Sequence, residues 1–148
     1  MTHDRADKTS SLASALFFLF GVAMVMCLAF GDRVLLPGFV DLTYLPFDGA
    51  QTLQDDSARV LGAISGGLLA GLDAMMWMVT REVYAKDPNI GQHILLTGII
   101  SWFIIDSTGS LSVGAWFNVV MNLAYLAIVL VPLIAASTAS TEQAQTTV

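Results

Sequence analysis

The sequence predicts an all-α integral membrane protein in which four transmembrane helices form one antiparallel bundle. The first observation is the composition: of 148 residues, 55% are hydrophobic and only 12% are charged, unlike an average soluble domain. The second is the mean hydropathy of +0.71. The third is a set of four apolar runs that approach the roughly 20 residues a helix needs to cross the hydrocarbon core. We therefore expect one membrane domain that covers residues 1–148.

The four spans are predicted at about residues 12–30, 58–80, 88–107 and 113–135. The first follows Arg5 and Lys8, as a signal peptide would, but its apolar run is longer than the about 7 to 15 residues of a signal-peptide core. The third span is the least apolar. Its start is nevertheless clear, because Asp87 can cap a helix and Pro88 suits the first helical position.

The basic residues predict the orientation of the spans. Four lie on one side of the membrane and two on the other: Arg5, Lys8, Arg81 and Lys86 against Arg33 and Arg59. Basic residues favour the cytoplasmic side, so we expect both termini in the cytoplasm and the chain in the inner (plasma) membrane of a bacterium. Residues 31–56 then form an external loop. The tail at 137–148 is rich in Ser, Thr, Ala and Gln and is expected to be disordered.

Small and charged residues share one face of the second span. At about 100° per residue, six residues form a stripe on this face: Arg59, Gly62, Gly66, Ala70, Asp73 and Trp77. Gly67 and Gly71 form a second pair of glycines, turned away from Gly62 and Gly66. Glycines at this spacing let two helices approach closely. Packing is the first interpretation of these residues, and room for a ligand beside Asp73 is the second.

A polar cluster is predicted near the external surface. The fourth span places Asn118 and Asn122 one turn apart, while Asp106 ends the third span and Arg59 opens the second. Pairing among these four side chains would offset the cost of polar groups in lipid. Trp102 and Tyr125 are expected close by. The cluster has two interpretations, a structural clamp and a site for a ligand or an ion.

Asp73 is the one intramembrane charge without an evident partner. By helix rise it lies too far from Arg59 and from Arg81 for direct pairing. A neutral carboxyl group that donates a hydrogen bond is therefore expected. It has a packing interpretation and a functional one, in which Asp73 carries a proton. The residues of this candidate proton or ligand site are Asp73, Trp77, Trp102 and Tyr125.

The chain carries few signatures of an enzyme. His3 lies in the N-terminal tail and His93 near a helix end, so the two histidines do not suit bis-histidine haem ligation. Neither a nucleophile elbow nor a zinc or phosphate-loop motif is present. The formal net charge of −6 argues against binding nucleic acid. We predict no cofactor, no metal and no catalytic residue.

Two segments resemble those of small bacterial inner-membrane proteins of the BphX-like or DoxX-like type. They are ARVLG at 58–62 and WFIIDSTGS at 102–110, in a layout with a long external loop before an arginine that opens the second span. The resemblance covers about half of the chain. It implies a four-helix fold in the inner membrane. It adds no catalytic residue, since such families have no settled activity.

Two functional hypotheses follow. The first is a non-catalytic packing or accessory protein in the lipid bilayer, which associates with itself or with other membrane proteins and holds a small apolar ligand. The second is a small proton-coupled transporter that uses Asp73.

Overall fold

The computed structural model describes the backbone of residues 3–31, 34–53 and 55–146, and within these ranges the side chains of residue 8 and of residues 11–135. The described residues form helices and no strands. In chain order the elements are α1 (His3–Ala29), α2 (Leu35–Tyr44), α3 (Asp56–Val79), a π-helix (Thr80–Tyr84), α4 (Pro88–Ser112) and α5 (Trp116–Thr146). Four stretches are long and apolar enough to cross a membrane: Ser11–Ala29, Asp56–Tyr84, Pro88–Ser112 and Trp116–Ala135. They indicate a multi-pass membrane protein, and the prediction of four helices long and apolar enough to cross a membrane is confirmed.

Two helix starts follow the capping chemistry expected of their residues. The Asp55 carboxylate accepts from the backbone N–H of Ala58 at 3.3 Å and caps α3. The Asp87 carboxylate accepts from the N–H groups of Asn89 and Ile90, each at 3.1 Å, and caps α4. These bonds satisfy donors that a helix leaves free in its first turn. The predicted start of α4 at Pro88 is confirmed.

Helix α4 is longer than the sequence predicts. It continues to Ser112, about one turn past the expected end, through a segment that has the composition of a turn. Its hydroxyls bond to carbonyls of their own helix, Thr108 to Ile104 at 2.6 Å and Ser112 to Gly109 at 2.6 Å. A hydroxyl satisfied in this way can remain inside an apolar helix. Because α4 continues to Ser112, Asp106 lies within the helix and not at its end.

The predicted external loop contains a helix of its own. Within α2, Leu36 is buried and Phe39 packs against Phe20 of α1, with ring centroids 4.9 Å apart. The buried Asp41 carboxylate accepts from the N–H groups of Gly49 at 2.8 Å and Gln51 at 3.3 Å. These bonds, that from Gly49 above all, hold the pKa of Asp41 below its ordinary value, because they stabilise the ionised form. The segment after α2 is thus tied back onto the helix.

The far end of the chain also differs from the prediction. Helix α5 continues to Thr146, whereas residues 137–148 were expected to be disordered. The segment is polar, but its Ala, Gln and Glu residues are good helix formers. Polarity excludes a buried core; it does not exclude a helix that extends from a membrane span.

Helices α1 and α3 pack closely through glycine. A Cβ built on Gly66 would lie 2.8 Å from the carbonyl oxygen of Gly21, and one on Gly21 would lie 2.6 Å from that of Gly66. A Cβ built on Gly62 would lie 3.2 Å from the Leu28 side chain. The backbone of Ala70 also lies against Gly21. The predicted packing stripe on α3 therefore faces α1.

The second pair of glycines on α3 does not pack. Gly67 and Gly71 are exposed, and an added Cβ would meet nothing within 4 Å at either position. They lie beside exposed apolar side chains, which are Leu61, Ile64, Leu68 and Met75. Neither glycine is covered by another described helix, so the prediction that Gly67 and Gly71 mediate helix packing within the chain is wrong.

The buried core joins α3, the π-helix, α4 and α5. Its members are Met76, Tyr84, Leu95, Ile99, Tyr125, Val129 and Leu133. Gly91 is essential to this arrangement, because a Cβ there would lie 2.5 Å from the backbone nitrogen of Tyr84. Among the spans, α3 packs on α1, α1 on α5 and α5 on α4, whereas α3 and α4 touch each other little. The helices consequently enclose a space on the side where α3 faces α4.

Candidate functional site

A cavity of about 910 Å³ occupies the space between the spans. Its volume lies within the roughly 300 to 1,000 Å³ of ligand pockets. Its walls come from α1, α2, α3, α4 and α5 and are mostly apolar. The lining residues are Leu16, Phe17, Phe20, Met24, Phe39, Ser65, Leu68, Leu69, Leu72, Trp102, Ile105, Asp106, Asn118, Met121, Asn122 and Tyr125.

Three of the four residues of the predicted polar cluster are found together in the wall of this cavity. Asp106 Oδ2 accepts from the side-chain amides of Asn118 at 3.1 Å and Asn122 at 2.6 Å. The Asn118 amide also donates to Ser110 Oγ at 2.8 Å, and that of Asn122 to Ser107 Oγ at 3.4 Å. The predicted cluster did not include the two serines, because the third span was expected to end near Asp106 and the residues beyond it were not assigned to the helix. Their spacing from Asp106 on one helix was the available signal.

Arg59, the fourth member, lies elsewhere. Its guanidinium donates to the backbone carbonyl of Leu28 at 3.1 Å. That carbonyl lies in the last turn of α1, where oxygens lack helical partners and the helix dipole favours a cation. The helical wheel placed Arg59 on the correct face of α3, but that face meets α1 and not the pair α4 and α5. The predicted pairing of Arg59 with Asp106 is wrong for this reason.

Asp73 bonds to Tyr125, which the sequence analysis placed in the same candidate site but did not identify as its hydrogen-bond partner. Tyr125 donates its hydroxyl hydrogen to Asp73 Oδ1 in a short hydrogen bond. Asp73 is 0% exposed, and no described residue bonds its second oxygen, Oδ2. The bond joins α3 to α5 across the core. The separation of 52 residues explains why one-dimensional spacing could not reveal the pair.

Tyr125 is surrounded by aromatic rings. Phe17 of α1 lies with its centroid 3.7 Å away at an angle of 31°. Trp102 of α4 lies edge-on at 5.3 Å and 78°. Two residues of the predicted proton or ligand site, Trp102 and Tyr125, therefore lie beside Asp73 or its partner, and Phe17 was missed since nothing in its own span distinguishes it from other phenylalanines.

Trp77 does not belong to the site. It is partly exposed, and its ring lies 5.2 Å from the guanidinium carbon of Arg81 in a cation–π contact. Four residues at about 100° each turn Trp77 by about 40° from Asp73 around the axis of α3, which places it at the exposed edge of the stripe. Trp77 and Arg81 make a pair typical of a membrane–water interface.

The cavity combines a large apolar surface with a few polar side chains. Among the residues that the structure describes, no three His, Cys, Asp or Glu side chains are grouped as ligands for a metal ion. The polar groups at the cavity, which are a carboxylate, carboxamides and hydroxyls, bond mainly to one another. A ligand in the cavity would contact a large apolar surface and one polar patch.

Comparison of the chain with models of known protein families, with curated proteins and with solved structures finds no match. The resemblance to BphX-like or DoxX-like proteins stays a prediction.

Proposed function

We propose that the protein is a non-catalytic, four-helix membrane protein that holds a small and largely apolar molecule in its central cavity. The observation that carries this proposal is the 910 Å³ cavity, with its aromatic and aliphatic walls and one polar patch. Pockets of this size and composition are the usual sites for small ligands. Pockets that bind lipophilic molecules need few polar groups, since burial of apolar surface supplies most of the affinity.

The proposal includes a topology. The connections at residues 85–87 and 113–115 are three residues long, which favours antiparallel neighbours. Arg81 and Lys86 then lie on the same side as Lys8, and the distribution of basic residues favours the cytoplasm for that side. The inner membrane of a bacterium remains the proposed location. Association with other copies or with other membrane proteins is proposed for the exposed apolar faces.

Mass spectrometry of the purified protein tests the binding proposal. The wild type, released from mild detergent, should carry a small molecule at a ratio near one to one. Replacement Leu69→Trp fills the cavity that Leu69 lines and should remove that molecule. The control Leu61→Trp lies on the exposed side of α3 and should retain it. Equal amounts in both variants, or none in the wild type, would contradict the proposal.

A second candidate is a small proton-coupled transporter, and one observation favours it. Tyr125 both bonds to Asp73 and lines the cavity, so a change at Asp73 can be transmitted to a bound molecule through one side chain. Buried carboxyl groups inside membrane spans are frequent in proton relays. Under this candidate, loss or gain of a proton at Asp73 would alter how Tyr125 faces the cavity.

Reconstituted vesicles distinguish the second candidate from the first. With an imposed pH gradient, the wild type should release internal protons or accumulate the identified ligand, and Asp73→Asn should abolish the dependence on the gradient. Ligand binding at equilibrium by Asp73→Asn serves as the test of its fold. If Asp73→Asn binds ligand and shows the same flux as the wild type, Asp73 has a packing role only.

A further inference from the structure

The polar patch of the cavity presents acceptors and few donors. An ionised carboxylate only accepts hydrogen bonds, so both carboxamides must turn their N–H groups toward Asp106. The bonds to Ser110 and Ser107 occupy the remaining amide hydrogens of Asn118 and Asn122. The oxygens that these bonds leave over are Asp106 Oδ1 and the two carboxamide oxygens. No hydrogen bond recorded among the described residues reaches any of the three.

Three basic side chains that the structure describes do not pair with the Asp106 carboxylate. Arg59 bonds to the Leu28 carbonyl, Arg81 lies over Trp77, and Lys86 pairs with Glu82 at 2.8 Å. Each has a partner away from Asp106. A carboxylate in an apolar cavity is costly without a compensating positive charge. A bound cation is the natural source of that charge.

The patch is built into the wall and is not a loose surface feature. Asn122 is only 7% exposed, and its amide joins α5 to α4 through Asp106 at 2.6 Å. Phe17, Phe20 and Leu72 line the cavity together with this patch. A ligand that reaches the acceptors would therefore rest its remaining atoms on aromatic and aliphatic side chains.

We propose that the ligand of this cavity is an amphiphilic amine, with a cationic N–H-donating head on Asp106, Asn118 and Asn122 and an apolar tail against Phe17 and the neighbouring wall. This inference rests on the proposed binding function and specifies its ligand class. The ammonium would supply a positive charge beside Asp106 and N–H donors for the three oxygens that the described hydrogen bonds leave over. Charge-assisted bonds of this type are about twice as strong as neutral ones.

Three probes of equal chain length test the head-group preference: dodecylamine, dodecanol and dodecanoic acid. Binding to the full-length protein in lipid nanodiscs at pH 7 is measured by calorimetry, after subtraction of the partition into empty nanodiscs. We expect the wild type to bind the amine about tenfold or more tightly than the alcohol. The acid should bind most weakly, because its charge repels Asp106.

Two variants make the test specific. Asp106→Asn removes the charge, and its affinity for the amine should fall by about tenfold or more, while its affinity for dodecanol, which depends on the apolar wall, reports that the cavity has formed. Asp48→Asn removes one negative charge from the exposed loop and should change neither affinity.

The possible outcomes separate the two proposals. Equal affinity of the wild type for amine and alcohol, or an equal loss of amine binding in Asp48→Asn and Asp106→Asn, overturns the amine assignment and leaves the binding function standing. Should no probe bind beyond the empty nanodisc, the binding function fails as well. If Asp106→Asn also loses dodecanol, the variant Asp106→Glu, which keeps the negative charge, must retain the preference for the amine over the alcohol, and failure to do so overturns the assignment.

Discussion

At the scale of single residues, Tyr125 and Asp73 are both buried and bonded to each other inside the membrane region. Tyr125 donates to Asp73, approaches the Met76 sulfur at 3.8 Å and contacts two further aromatic rings. A buried polar group left unpaired costs about 1 to 3 kcal/mol. The two residues are therefore expected to be coupled strongly in their effect on stability.

Tyr125→Phe tests this coupling. Loss of the hydroxyl leaves Asp73 without its described partner, so we expect the free energy of unfolding in mixed micelles to fall by about 1 to 3 kcal/mol. In an Asp73→Leu background the same replacement should cost far less. The double-mutant cycle measures the difference, and additive effects of the two changes would contradict a direct bond.

Asp41 leads to a prediction about pH. Bonds from Gly49 and Gln51 lower the pKa of Asp41 in the folded state. A carboxyl with a lowered folded pKa stabilises the structure above its unfolded pKa of about 3.9, and this stabilisation is lost as the pH falls through the lowered value. The Gly49 and Gln51 amide resonances should therefore remain constant from neutral pH to about pH 5 and shift only at lower pH.

A matched pair of variants checks the Asp41 prediction at neutral pH. Asp41→Asn should displace the Gly49 amide resonance, because the neutral carboxamide is a weaker acceptor. Asp48→Asn alters a carboxylate with one exposed, short-range bond, to Ala50 at 3.0 Å, and should have a smaller effect on Gly49. A Gly49 resonance that is identical in the wild type and Asp41→Asn would show that the bond does not form.

At the scale of helices, the contact between α1 and α3 depends on the absence of side chains. Gly66→Ala places a methyl group 2.8 Å from the Gly21 carbonyl, which backbone atoms cannot avoid without a shift of the helices. We expect a loss of about 1 to 3 kcal/mol in unfolding free energy. The control Gly67→Ala meets open space and should unfold like the wild type. An equal loss at both glycines would contradict this packing.

The sequence predicted where the helices lie along the chain better than it predicted which helices contact each other. Hydropathy and capping identified the four spans and the start of α4 at Pro88, since these depend on local chemistry. The wheel of the second span identified the packing face that includes Gly66. It could not identify α1 as the partner, because an angular pattern on one helix contains no information about the next one. Arg59 was assigned to the wrong neighbour for that reason, and Gly21, a lone glycine in an apolar run, gave no signal.

At the scale of the whole molecule, the sparse contact between α3 and α4 has a consequence for access. Leu68 of α3 and Ile105 of α4 both line the cavity and are strongly exposed. We therefore expect the cavity to open sideways between these two residues, toward the lipid chains of the bilayer. A ligand that partitions into the bilayer could enter without passing through water.

Tryptophan quenching tests this lateral opening. The chain has three tryptophans, Trp77, Trp102 and Trp116, so variants that keep one tryptophan and replace the others by Phe are readily made. Although Trp102 lies in the cavity wall, lipids with brominated acyl chains should quench it in reconstituted membranes. Trp116, which is exposed, serves as the positive control. If the brominated lipids quench Trp116 but not Trp102, the cavity is closed to lipid.

The position of Tyr125 along the chain also affects how the protein is made. Tyr125 contacts Phe17 of α1, Asp73 of α3 and Trp102 of α4, and it belongs to a helix that is synthesised after all three of them. Until α5 has entered the membrane, the earlier spans lack the hydroxyl that satisfies Asp73. The bond between Asp73 and Tyr125 can therefore form only once α5 has joined α3 in the membrane.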